Sequence, residues 1–146
     1  MAKDLTREVP RSPLEEIGGW PWLPRLIDKV RAKQAGTLGE YTPYPCGADQ
    51  RFLKTFGIDA AALEAKITGG ASDVEVASWC QANCANDPVA SARELRQSMM
   101  APVAPERQAV LAKLVAELKE HRPDLDLSGI DSFTKLILVE EGHPVP

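Results

Sequence analysis

The stretch PERQAVLAKLVAELKEHRP, residues 105–123, is the clearest indication of the fold. Its apolar residues recur three and four positions apart, which is the spacing of one face of an α-helix. That apolar stripe consists of Val110, Leu111, Leu114, Val115 and Leu118. Charged residues occupy the opposite face, as in an amphipathic helix. Pro105 suits the first turn and Pro123 stops the helix, because proline has no N–H to donate inside one.

Similar start and stop signals recur along the rest of the chain. They predict helices at about 24–35, 49–56, 60–68, 73–85, 88–100, 105–122 and 132–140. The side chains expected to cap their N-termini are those of Asp49, Asp59, Ser72, Asp87 and Asp131. Glycines follow most of these segments, where a left-handed residue commonly ends a helix.

The segments between the helices predict no strand. Alternation occurs only around residues 38–44, and proline and glycine interrupt it. Residues 1–13 form a polar N-terminal arm, residues 37–48 an irregular loop with two glycines and two prolines, and residues 143–146 a frayed tail. We therefore predict an all-α fold of about six to seven helices in one compact domain, residues 1–146.

Length, charge and composition exclude several classes of protein. The chain has 146 residues and a net charge of -4, whereas nucleic-acid binders usually carry a basic excess. It has no apolar run of about 18 residues that could span a membrane and no apolar leader at its N-terminus. Three cysteines do not form a disulfide framework. We expect a soluble cytoplasmic protein without nucleic-acid or membrane partners.

The cysteines and histidines predict no metal site and no cofactor. Cys80 and Cys84 lie four positions apart on one helix face, without the Cys-x-x-Cys spacing of a zinc knuckle. Packing in the core explains them better, and we expect reduced thiols. His121 lies at a predicted helix C-terminus and His143 in the tail, so capping or exposure accounts for both.

Charged and aromatic residues gather around the loop 37–48. The candidate ligand-binding or network residues are Arg25, Asp28, Lys29, Glu40, Tyr44, Cys46, Asp49 and Arg51. Arg25 and Asp28 share a helix face, and Arg51 is expected to pair with Asp28 or Glu40. A loop between two charged helix ends is a common way to build a polar site. The alternative is a salt-bridge network that only locks the loop.

Four aromatic residues flank the first predicted helix: Trp20, Trp22, Tyr41 and Tyr44. Aromatic side chains with a polar group favour half-buried positions, so we expect them at the rim of the core. Two alternatives are a partner interface and, with the neighbouring basic residues, a stacking surface for single-stranded nucleic acid.

Residues 10–59 contain a series of motifs with a known counterpart. They are PRSP, a Gly-Gly pair before an aromatic residue, LPRLIDKVRAK, GEY, a cysteine before DQRFL, and FGID. In these motifs the chain resembles a bacterial protein family described as domain of unknown function 5069. The segments around Trp79 and the closing EEG are also similar, whereas Gly47-Ala48 and Phe133-Thr134 depart from the family pattern. The resemblance implies an all-α cytoplasmic protein and no particular activity.

These observations favour a small cytosolic helical module. We expect it to bind a protein or small-molecule partner through the loop between the first two helices. The alternative is an enzyme that uses the same groove, with Asp28, Glu40 or Asp49 as acid or base. In that enzyme Arg25 or Arg51 holds an anion. A purely structural domain is the third interpretation.

Overall fold

The structure is a computed structural model and describes residues 2–146. Within these residues seven α-helices and one small sheet confirm the predicted all-α fold. The helices are α1 (Leu23–Ala35), α2 (Gly47–Phe56), α3 (Ala60–Thr68), α4 (Asp73–Asn83), α5 (Pro88–Met100), α6 (Gln108–His121) and α7 (Phe133–Glu141). The chain divides into two compact units, one up to Arg96 and one from Gln97 to Pro146. That the chain forms a single domain stays a prediction.

A short hairpin precedes α1, although the sequence predicted no strand. Strands β1 (Glu16–Ile17) and β2 (Trp20–Pro21) pair antiparallel. Gly18 and Gly19 join them with φ angles of 55° and 85°. Positive φ at both central residues is what the tight turn of a two-residue hairpin requires, and glycine supplies it without steric cost. The Gly-Gly pair was the signal for this turn.

Most of the predicted helix ends are confirmed. Pro24 lies in the first turn of α1, and Gly36 ends the helix with a φ of 76°. The Asp59 side chain caps α3. Ser72 and Glu75 form the predicted capping box at the start of α4, where each side chain accepts a hydrogen bond from the other residue's backbone N–H.

Two predicted N-caps were wrong. Cys46, not Asp49, caps α2, and Asp49 is the third helical residue of a reciprocal capping box. Ser132, not Asp131, caps α7, and its hydroxyl accepts from the Lys135 N–H at 3.1 Å. The sequence favoured aspartate in both places because it is a stronger N-cap than cysteine and is as good as serine.

The core of the first unit surrounds α1, which contacts α3, α4 and the hairpin. Its largest fully buried side chains include Phe52, Phe56, Leu23, Leu26, Ile27, Leu63, Ile67 and Val76. Trp20 packs against Phe56 with ring centroids 4.4 Å apart. Trp22 and Tyr44 are also buried, while Tyr41 is half-buried. Half-buried positions at the rim of the core were predicted for all four aromatic residues. Tyr41 occupies such a position, whereas Trp20, Trp22 and Tyr44 lie deeper, within the core.

In the second unit, α6 packs against α7 and is preceded by a one-turn 3-10 helix, Pro105–Arg107. Of the α6 stripe only Leu111 is fully buried, while Val110 is 46% and Leu114 39% exposed. A cavity of about 730 Å³ lies between α6 and the segment 126–131. Among residues 2–146 no helix is both long and apolar enough to cross a bilayer.

Candidate functional site

A buried ion pair joins α1 to the start of α2. The ammonium of Lys29 lies 3.0 Å from a carboxylate oxygen of Asp49, and the two side chains are 4% and 0% exposed. The Trp22 indole N–H donates to the other oxygen at 2.8 Å, and the Cys46 backbone N–H donates to the first at 3.0 Å. These hydrogen bonds offset much of the free energy that burying the carboxylate costs.

The Lys29 ammonium also donates to the sulfur of Cys46, at 3.1 Å. The Asp49 N–H donates to the same sulfur at 3.5 Å. Cys46 is half-exposed, whereas Lys29, Asp49 and Trp22 are buried. We call these four residues the Lys29 cluster. Cys46 is the member that solvent reaches most readily.

The backbone of Trp22, a member of this cluster, is strained. Its φ is 71°, and it is the only non-glycine residue among residues 2–146 with a positive φ. Such a conformation costs on the order of 1–3 kcal/mol and persists only where the surrounding structure enforces it. Here the residue lies between the hairpin and α1, and its indole reaches Asp49.

Asp28 belongs to a second network, whose centre is a residue of the N-terminal arm. The Arg11 backbone N–H donates to the Asp28 carboxylate at 2.8 Å, and the Arg11 guanidinium lies 3.0 Å from it. The same guanidinium pairs with Asp73 of α4 at 2.7 Å, and Arg31 pairs with Asp73 at 3.0 Å. The network therefore fastens the arm to α1 and α4.

The charges of this network shift one another's pKa values. Burial alone would lower the pKa of Arg11, but the hydrogen bonds of its guanidinium to Asp73 and Asp28 outweigh burial and raise it. Burial alone would raise the pKa of Asp73, but its hydrogen bonds and ion pairs with Arg11 and Arg31 lower it. Both groups are thus more firmly ionised than they are in water.

Tyr44 and Arg25 lie against buried neighbours. The Tyr44 hydroxyl donates to the first carbonyl of α3 at 2.8 Å, and burial raises its pKa. The Arg25 guanidinium lies 5.6 Å from the ring centroid of Trp22 and 5.8 Å from that of Tyr41, within cation–π range. It also donates to the Arg11 carbonyl at 3.3 Å. Arg25 thus connects the aromatic residues with the arm.

Glu40 and Arg51 are the exposed members of the predicted set. The expected pairing of Arg51 with Asp28 or Glu40 stays a prediction, and the Asp28 carboxylate is held by Arg11. The structure thus brings together Lys29, Cys46 and Asp49 and joins Asp28 to a different network.

The predicted candidate set left out four residues of these networks: Arg11, Trp22, Arg31 and Asp73. Trp22 was predicted only as an aromatic residue at the rim of the core or at a partner interface. Arg11 lies within the motif PRSP, one of the features that the chain shares with the similar family, and that was the available signal. The sequence pattern assigns Trp22 to the core and Arg31 and Asp73 to helices, so it did not mark any of the three as part of a network.

The other two cysteines and the two histidines are either buried or hydrogen-bonded to nearby groups of the chain. Cys80 is buried, and burial, with a smaller effect of Cys84, raises its pKa to about 12. Cys84 is half-exposed and its thiol faces a backbone carbonyl of α4 at 3.6 Å. All three cysteines are free. His121 bonds a carbonyl of the last turn of α6, and His143 lies 2.8 Å from a carboxylate oxygen of Glu141.

Fold and site together describe a helical protein with a buried Lys–Asp pair beside the sulfur of a half-buried cysteine. The family model described as domain of unknown function (DUF5069) matches residues 7–143, and the chain belongs to this family. The motifs in residues 10–59 had predicted this membership. A comparison with curated proteins gave no match.

Proposed function

We propose that this protein is a ligand-binding helical module whose site is the surface of the loop 37–48 above the Lys29 cluster. Its ligand is a small molecule with a carbonyl or carboxylate oxygen. The proposal rests on one observation: the buried Lys29 ammonium, already paired with Asp49, donates a further hydrogen bond to the sulfur of Cys46, a half-buried residue.

A purely structural lock does not account for the choice of cysteine. The Lys29–Asp49 pair alone would fasten α1 to α2. Serine, threonine, aspartate or asparagine in place of Cys46 would stabilise the start of α2 better than a thiol does. In natural proteins, residues that are not the locally best choice and strained backbone conformations are both concentrated at functional sites. Cys46 is an example of the first, and Trp22, with its positive φ, is an example of the second.

The surroundings of Cys46 favour a ligand with oxygen acceptors. The first N–H groups of a helix have no acceptor within it, and they carry the positive end of the helix dipole. At Gly47, the first residue of α2, an added Cβ would meet nothing within 4 Å, so no distant part of the chain covers the surface there. Arg51 and Glu40 add exposed charges on the same loop and helix.

In this arrangement, an enzyme at the site would use different residues from those first considered. Asp28 and Asp49 are poor candidates for a general acid or base, because Arg11 and Lys29 bind their carboxylates and both side chains are buried. An enzyme at this site would instead use exposed Glu40 as acid or base, or the thiol of Cys46.

A thermal-shift screen tests the binding site. Wild type, Arg51→Gln and Cys46→Ser are heated with a panel of small carboxylates, keto acids and phosphate esters. Lys54→Gln is the matched control, since Lys54 is an exposed cation on the same helix. We expect a compound that raises the Tm of wild type and of Lys54→Gln but raises that of the two site variants less. At about 100 times its Kd such a compound stabilises the fold by roughly 2.7 kcal/mol.

Two outcomes of the screen would contradict the proposal. One is that no member of the panel shifts the Tm of wild type at millimolar concentration. The other is an equal shift in all four proteins, which would place the ligand elsewhere.

A cytoplasmic location is part of the proposal. A free thiol at the site functions where cellular reductants keep it reduced, as in the cytoplasm. Fractionation of the producing cells tests this location.

A further inference from the structure

We propose that the cavity between α6 and the segment 126–131 binds a small molecule that has an apolar body and a protonated amine. All the residues that line this cavity belong to the second unit, so the site is distinct from the one proposed at the loop 37–48 and does not depend on it.

The size and the lining of the cavity suit a small molecule. Its volume is about 730 Å³, within the range of roughly 300–1,000 Å³ that small-molecule sites occupy. Eight of its thirteen lining residues are apolar, among them Leu111, Val115, Leu127 and Ile130. Small-molecule sites have this composition, in which an apolar lining holds the body of the ligand and a few polar groups orient it.

The face of α6 along the cavity is apolar although the chain does not bury it. Ala112 and Ala116 are exposed and lie one helical turn apart, and Val115 beside them is only half-buried. A helix face that is exposed to water normally carries polar residues. The short alanine side chains leave this space open, and an apolar ligand there removes the surface of all three residues from water.

The charged residues of the lining favour a cationic ligand over an anionic one. Lys119 is the one basic residue among the thirteen, and its ammonium already donates to the carbonyls of Pro123 and Leu125, at 3.0 and 2.8 Å. Two of its three N–H groups are thus occupied. Two acidic residues, Asp126 and Asp131, also line the cavity. The charge of the lining is therefore negative, and its one cation has little capacity left for an anion.

Asp131 is the residue that binds the amine. Its carboxylate does not cap α7, because Ser132 does so. The Oδ1 of Asp131 is buried and lies 2.7 Å from the Lys135 ammonium, but within residues 2–146 it accepts no hydrogen bond of normal geometry. The side chain as a whole is 44% exposed, so its exposed oxygen is the other one. A protonated amine in the cavity pairs with that oxygen by a charge-assisted hydrogen bond.

Asp126 adds a second negative charge at the same cavity. The Ser128 hydroxyl and the Ser128 backbone N–H donate to its Oδ1 at 2.6 and 3.0 Å, and these hydrogen bonds lower the pKa of the carboxyl. Asp126 is therefore ionised at neutral pH, where an alkylamine is protonated.

Amide NMR spectra of the full chain test the site with three probes that share one apolar body: octylamine, octanol and octanoate. At neutral pH their head groups are positive, neutral and negative. We expect octylamine to shift the amide signals of α6 and of residues 126–131. We also expect it to bind about threefold more tightly than octanol or better, as a partly exposed ion pair allows, and more tightly still than octanoate. Octylamine that binds no more tightly than either of the others would overturn the inference, and so would shifts confined to other parts of the chain.

Two variants separate the charge from the cavity. Asp131→Asn keeps the shape of the side chain, so we expect the Kd of octylamine to rise by about threefold or more and that of octanol to stay within about twofold. Ala112→Trp fills the cavity and should weaken the binding of octylamine and octanol by about tenfold or more, because the octyl chain loses its apolar surroundings.

Val110→Trp is the matched control for Ala112→Trp. Val110 is 46% exposed on the same helix and is not among the residues that line the cavity. We expect this variant to bind octylamine as wild type does. Equal losses of affinity in the two tryptophan variants would overturn the site, and unchanged binding of octylamine by Asp131→Asn would overturn the role of the carboxylate.

Discussion

Arg11 binds Asp28 with two parts of the same residue: its backbone N–H at 2.8 Å and its guanidinium at 3.0 Å. Seventeen positions separate the two residues, and no local pattern connects them. Through this contact the N-terminal arm becomes part of the first unit, and the one buried carboxylate on α1 obtains its counterion.

Removing this counterion should destabilise the fold strongly. In Arg11→Met the Asp28 carboxylate, 4% exposed, loses its guanidinium, and we expect the free energy of unfolding to fall by about 3–5 kcal/mol. Asp28→Asn should cost less, since Arg11 keeps Asp73 at 2.7 Å. Urea unfolding measures both, with Arg7→Met as control because Arg7 is 87% exposed. A loss no larger for Arg11→Met than for Arg7→Met would contradict the network.

The stabilisation that comes from Asp73 should disappear in acid. Its pKa in the folded protein lies below the ordinary value of 3.8, because Arg11 and Arg31 outweigh the opposing effect of burial. The stabilisation is therefore fully present above pH 3.8 and is lost as the pH falls through the lower folded-state pKa.

Urea unfolding of wild type and Asp73→Asn over a range of pH measures this effect. We expect the difference in stability to be largest near pH 6 and to shrink below about 3.8, the ordinary carboxyl pKa. Lys54→Gln serves as control, since a lysine does not titrate in this range. A difference that grows as the pH falls would have the wrong sign.

Cys80 and Cys84 should respond differently to the same substitution. Cys80 is fully buried, so Cys80→Ser places a hydroxyl in the core and should cost about 1–3 kcal/mol. Cys84→Ser changes a half-exposed side chain at the end of α4 and should stay within about 0.5 kcal/mol of wild type. Equal losses in chemical denaturation would contradict the burial of Cys80.

Much of the fold was predictable because its signals are local. Proline in a first turn, glycine after a last turn and a Ser-x-x-Glu box each act within a few residues, as Pro24, Gly36 and Ser72 illustrate. The hairpin is also a local feature, but the sequence analysis missed it, although the Gly18-Gly19 pair could have indicated its turn. Cysteine at the N-cap of α2 was not expected, since cysteine is seldom the best cap.

The candidate site was predictable only as a region. The sequence drew attention to Lys29, Cys46 and Asp49, but not to the contact between ammonium and sulfur, which depends on how α1 packs against the start of α2. Arg11 could not be assigned to Asp28 because helical periodicity carries no information on an extended arm.

The central claim is that the surface above the Lys29 cluster binds a small ligand beside the Cys46 thiol. Labelling with limiting iodoacetamide, read out by peptide mass spectrometry, compares Cys46 with Cys84 in the native protein, with and without a compound that raises the Tm in the thermal-shift screen. Cys84 is also half-buried and lies at the end of α4, so it is the internal control. We predict that the compound slows the labelling of Cys46 and leaves that of Cys84 unchanged. Unchanged labelling of Cys46, or equal slowing at both cysteines, would contradict the claim.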